Sequence, residues 1–135
     1  MRERARVGLL TGVCGALDWS QVERVLSMVD GAVLLVDALE GPLAQTKFVV
    51  SKALARGLQP LLVLNKVDRP AVTKERCAEV EGELFELFAG LGASDAQLDF
   101  RTIYASAREG VAANSWERAQ VGVGMCVCVG VCGGR

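Results

Sequence analysis

The residues with the most specific chemistry to offer are Asn65-Lys66-Val67-Asp68. A carboxylate presents two coplanar acceptors. Guanine shows two donors, N1–H and N2–H2, on one edge, so Asp68 can pair with both at once. Adenine carries an acceptor at N1 and would leave the carboxylate opposed and unpaired. The penalty for an unpaired polar group can give discrimination on the order of 10⁴-fold. Lys66 can lay its methylene stem over a base, and Asn65 can tie its loop to neighbouring segments. Alone, the tetrapeptide also suits an ordinary surface turn. Its place directly after the apolar run Leu61-Leu62-Val63-Leu64 favours the binding reading.

A second candidate is Tyr104-Ala105-Ser106-Ala107-Arg108. A small-residue turn after a strand lets backbone N–H groups approach a base carbonyl. Ser106 and Ala107 are therefore expected to meet guanine O6, and Ser106 to brace Asp68. Ser-Ala is uninformative by itself and counts here only through its position behind the first loop. No catalytic residue and no metal ligand is assigned. The chain has no histidine, which removes His-based acid/base catalysis, Ser-His and Cys-His nucleophilic pairs, and His metal ligands.

These loops need strands to carry them. Ala32-Val33-Leu34-Leu35-Val36, Leu61-Leu62-Val63-Leu64 and Thr102-Ile103-Tyr104-Ala105 read as buried strands. Helical signals fall between them. Ser20 and Glu23 have capping-box spacing, with Val22, Val25, Leu26 and Val29 on one face and Asp30-Gly31 as the stop. Pro42 suits a helix start, Arg56 the end of that helix and Gly57 its stop. Thr73 can cap a third helix whose apolar stripe is Cys77, Val80, Leu84, Leu87, Phe88 and Leu91. Ser94 and Gln97 suggest one further capped turn. Strand, helix, strand, helix, strand predicts an α/β fold with right-handed crossovers and a parallel sheet covered by helices. Ligands of such sheets bind at the carboxyl ends of the strands, just past Leu64 and Ala105.

Composition agrees with one packed domain. The chain has 135 residues, 51% of them hydrophobic and 23% charged, enough for a core. Fifteen basic residues against sixteen acidic ones provide no broad electrostatic footprint for nucleic acid or an anionic membrane. No apolar run has membrane-span length. The basic start Met1–Arg6 leads into a short, glycine-broken apolar stretch and does not read as a secretory signal. Cys14, Cys77, Cys126, Cys128 and Cys132 are odd in number and crowded at the end, which points away from a disulfide framework and towards a reducing compartment.

Several stretches together resemble TypA/BipA translational GTPases. They are Val22–Gly31, Leu35–Leu43, Gln45–Val49, Asn65–Pro70, Leu91–Phe100 and Tyr104–Gly110, in the family's order. The resemblance covers about residues 22–112. It implies a partial P-loop NTPase-type three-layer fold, with a short, mostly parallel sheet and helices on both faces. It also implies GTP/GDP binding through Asn65, Lys66, Asp68, Ser106 and Ala107, and a ribosome-associated role for the complete protein. Cytoplasm, or alternatively the chloroplast stroma, is the expected location. Departures are equally clear. The sequence contains no Gly-x-x-x-x-Gly-Lys-Ser/Thr and no Asp-x-x-Gly, so the phosphate loop, the Mg²⁺ ligands and the γ-phosphate sensor of the complete family are missing. Where the family has its catalytic histidine, Gly15-Ala16-Leu17-Asp18-Trp19 puts Ala16.

Three domains of sequence follow. Residues 1–21 are divergent, and Val7-Gly8-Leu9-Leu10 is a candidate to lie beside the first strand, whose edge is otherwise expected to be bare. Residues 22–112 form the second half of a G domain. Residues 113–135 form a tail expected to be disordered, in which 121–135 alternates Val, Gly and Cys as a translated GT repeat would. Intron read-through or a faulty gene assignment is one source of such a tail. A non-enzymatic α/β interaction module, or a gene fragment without independent activity, is the alternative to a guanine-binding fragment. A dinucleotide-binding Rossmann domain ranks below these, since no Gly-x-Gly-x-x-Gly follows a strand.

Overall fold

The computed structural model describes residues 7–11 and 19–121. Met1–Arg6, the Gly15–Asp18 stretch and residues 122–135 lie outside the described residues, and with them Cys14, Cys126, Cys128 and Cys132. The elements in chain order are β1 (Val7–Thr11), α1 (Trp19–Leu26), β2 (Gly31–Asp37), α2 (Ala44–Ala55), β3 (Gln59–Asn65), α3 (Lys74–Gly90), α4 (Asp95–Leu98), β4 (Arg101–Ser106), β5 (Val111–Ala113) and α5 (Trp116–Gln120).

The five strands lie side by side in sequence order. β1 to β4 run parallel and β5 returns antiparallel to β4. The α/β class and the mostly parallel sheet are as the sequence predicts. β1 pairs along β2, Leu9 opposite Val33, so the edge expected to be bare is covered. Asp37 sits opposite Asn65 at the ends of β2 and β3, and Leu64 opposite Tyr104 near those of β3 and β4. That register brings three strand tips level.

Alternation along the strands decides the core. Ala32, Leu34, Val36, Leu62 and Leu64 are buried and pack with Leu26, Val50, Leu54, Val80, Leu84 and Phe88 from the helices. Their neighbours on the other face, Val33, Leu35, Leu61, Val63 and Ile103, are only half-buried. Period two places successive side chains on opposite faces.

Most helix signals hold. Thr73 caps α3, accepting the Arg76 N–H at 3.2 Å. Gly57 stops α2 in the left-handed region, φ +74, and its N–H reaches the Leu54 carbonyl at 2.9 Å. Cys77, Val80, Leu84 and Phe88 are the buried stripe, whereas Leu91, at the C-cap, is 39% exposed.

Five local expectations need correction. Ser20 lies inside α1, which already starts at Trp19, so it is not the cap. Val25 is half exposed, whereas Leu26 is buried in the core and Val29 packs partly against it. Gly31 opens β2 rather than capping a helix, since α1 has ended by Leu26 and the ladder with β1 and β3 claims Gly31. Pro42 precedes α2 by two residues. Gly41 turns at φ +78 with its N–H on the Asp37 carbonyl, and Leu43 is then extended as the N-cap. Residues 113–120, grouped with the tail by sequence, complete β5 and hold α5.

Candidate functional site

Asn65 ends β3, and its two oxygens face different neighbours. Its backbone carbonyl accepts the Ala38 N–H at 3.0 Å, and its Oδ1 accepts the Ala107 N–H at 3.2 Å. One residue thus ties the loops after β2 and β4 to the tip of β3. This is the tying role expected of Asn65. It also means that the Ala107 amide, expected to face a base carbonyl, already has an acceptor within the loop. A base oxygen would have to share or replace it.

Lys66 follows in the left-handed region, φ 66. Non-glycine residues avoid this region, because Cβ crowds the backbone there. The turn lets Val67 point inwards, 2% exposed, and brings its N–H to the Ala105 carbonyl at 3.2 Å. The Val67 carbonyl accepts from Gln120 Nε2 at 3.1 Å, so α5 braces the same loop. At the far end of the Lys66 side chain, Nζ donates to Asp37 Oδ2 at 2.5 Å.

Asp68 is half-buried, and its Oδ1 accepts the Ser106 hydroxyl at 2.7 Å. That hydroxyl oxygen in turn accepts the Glu109 N–H at 3.3 Å. The Ser106 bond is the main reason that the Asp68 carboxyl sits below its ordinary range, with lesser help from the positive charges of Arg108 and Arg69. Asp68 is therefore an anion near neutrality, held from the side by one of its four or so lone-pair positions.

Asp37 was not singled out by residue type. Burial pushes its pKa up, but the bond from Lys66 and the Leu39 N–H outweigh that, and the net shift is downwards. The Leu39 N–H reaches Oδ1 at 2.8 Å. A signal existed: Asp37 ends a parallel strand, as Asn65 does, and the strand-end rule applies equally to both.

The five expected residues, Asn65, Lys66, Asp68, Ser106 and Ala107, therefore converge at the ends of β3 and β4, with Asp37 of β2 beside them. The arrangement is one fixed carboxylate for an edge with two donors, a half-exposed lysine stem for a flat face, and tied loops between. Among the described residues, no group of three or more His, Cys, Asp and Glu is placed to hold a metal ion. No described helix is long and apolar enough to cross a membrane.

Comparison with known proteins bears on the same segment. Residues 14–125 match the elongation factor Tu GTP binding domain. A stretch of 92 residues is 56% identical to the large ribosomal subunit assembly factor BipA of Haemophilus influenzae, covering 68% of this chain and 14% of that protein. Over 95 residues the chain is 53% identical to the BipA of Synechocystis, covering 70% and 15% respectively. The chain thus spans about a seventh of the curated relatives it matches. Among solved structures, translation elongation factor SelB from Methanococcus maripaludis, in complex with the GTP analogue GppNHp, aligns with a TM-score of 0.56. It is 22% identical, and the alignment covers 66% of this chain and 19% of that one, a likeness of fold.

Proposed function

This chain belongs to the family of the elongation factor Tu GTP binding domain, and on that premise we propose that it is a guanine-recognising element of a BipA-like translational GTPase. The observation that carries the reading is the Asp68 carboxylate, fixed at a strand tip by Ser106 while remaining partly open to solvent. Asn65 and Ala107 close the loops around it, and Lys66 supplies the face contact. The identity to BipA over two thirds of the chain supports ribosomal subunit assembly as the context of the complete protein.

The residues present suit a guanine base and do not suit a triphosphate. The sequence has no Gly-x-x-x-x-Gly-Lys-Ser/Thr, no Asp-x-x-Gly and no histidine. The amides that cradle phosphates and the hydroxyl that binds Mg²⁺ come from the first of these motifs. Base contacts alone resemble those of a fragment ligand, so affinity is expected in the high micromolar range or weaker.

The test is a titration of the 135-residue chain with GDP and with ADP, followed by amide NMR shifts. GDP shifts the amides of the Asn65–Asp68 and Ser106–Ala107 loops, ADP does not, and Asp68→Ala removes the response. Asp68→Asn, which presents a donor, shifts preference towards xanthosine diphosphate, whose C2 bears a carbonyl. The same chain shows no turnover in a phosphate-release assay. Equal responses to GDP and ADP would defeat the reading.

A further inference from the structure

Lys66 is anchored by a carboxylate outside its own motif. We infer that Asp37 is a positioning residue for guanine binding: it holds the Lys66 side chain across the tips of β2 and β3, so that the stem is a preformed apolar support for the purine face. The inference rests on the guanine reading above and deepens it.

The geometry begins with register. Asp37 and Asn65 are partners at the ends of neighbouring strands. Lys66, one residue past Asn65, leaves β3 in the left-handed region and sends Nζ back to the tip of β2, onto Asp37 Oδ2. The acceptor is itself fixed, because Asp37 Oδ1 takes the Leu39 N–H at 2.8 Å. The two ends of the pair differ in exposure. The Asp37 side chain is 12% exposed and that of Lys66 45%. The anchor is sheltered and the lysine side chain is half open.

Asp68 is held from the opposite side, by Ser106 of β4. The two ligand-facing side chains of one loop are thus pinned to different neighbouring strands. A lysine on a flexible stem loses rotamer freedom when it packs against a base. An ion pair formed beforehand removes that cost from binding, the general advantage of preorganisation. The Lys66 end of the pair stays open to solvent, where a base would lie, so the effect is read in affinity.

The experiment uses the 135-residue chain with GDP, inosine diphosphate and ADP, measured by NMR titration. Inosine lacks the 2-amino group, so the ratio of GDP to inosine diphosphate affinity reports Asp68, whereas the level of both reports the support under the ring. Asp37→Asn keeps an acceptor for Leu39 and loses the charge. It weakens both nucleotides about fivefold and leaves their ratio unchanged. In a Lys66→Met background, which keeps the stem and lacks the ammonium, Asp37→Asn adds nothing further. Asp37→Glu restores part of the affinity. An Asp37→Asn affinity within twofold of wild type overturns the inference while leaving guanine recognition intact, as does an undiminished effect in the Lys66→Met background. Failure of both Asp37 variants to fold makes Asp37 a residue of the fold and also overturns it. If the wild-type chain itself does not prefer GDP to ADP, the guanine reading fails first, and this inference with it.

Discussion

At Asp68 the carboxylate is braced from one side and open on another, and Ser106 is what makes the difference. Its buried hydroxyl donates at 2.7 Å and is the largest influence holding the Asp68 carboxyl below the ordinary 3.8. A folded-state pKa below the unfolded value stabilises the fold fully above the unfolded pKa, and the contribution is lost as pH falls through the folded one. The site should therefore keep its charge into more acidic solution than an ordinary aspartate does. In Ser106→Ala, the Asp68 midpoint should rise towards 3.8, read from its carboxyl ¹³C shift against pH. GDP affinity at neutral pH should fall severalfold, because the carboxylate is still charged but no longer held in one orientation. An unmoved midpoint would assign the low pKa to the backbone N–H of Asp68 and to the arginines instead.

At the scale of elements, the short α4 has a purpose that its length conceals. Ser94 N–H donates to Gln97 Oε1 at 3.0 Å, the reciprocal half of the capping box that the Ser-x-x-Gln spacing predicts. The other end of the Gln97 amide is buried and donates to the Leu54 carbonyl at 3.2 Å and the Leu58 carbonyl at 2.9 Å. One side chain therefore satisfies acceptors at the end of α2 and the entry to β3, and so sets how the strand carrying Asn65 enters the sheet. Gln97→Ala removes a buried donor from the Leu58 carbonyl, while the Leu54 carbonyl keeps the Gly57 N–H, and should cost about 2 kcal/mol, measured by urea unfolding. A loss below about 0.5 kcal/mol would mean that water replaces the amide.

On the scale of the whole molecule, the sheet has unequal faces. Leu34 is 2% exposed among the helices, while its neighbour Leu35 is half-buried on the opposite face. Leu34→Ala should cost about 3 kcal/mol and Leu35→Ala about 1 kcal/mol, compared by denaturant midpoints. Equal losses would show both faces to be packed alike. The same asymmetry leaves the strand tips, not a face, as the place where Asp37, Asn65, Asp68 and Ser106 meet.

Local sequence determined whatever depends on neighbours along the chain. The apolar runs marked β2, β3 and β4. Thr73 marked the start of α3, Gly57 the end of α2, and Asn-Lys-x-Asp, placed just past a buried run, marked the candidate site at the strand tips. Periodicity and capping act within a few residues, so they are legible there. Only the tertiary structure decided the contacts between distant segments. Lys66 reaches Asp37 across 29 positions, and Asn65 takes the Ala107 amide across 42. β1 lies along β2, β5 folds back on β4, and Val25 faces outwards. Strand register and the left-handed turn at Lys66 follow from which tips come level, and no short window of residues contains both partners.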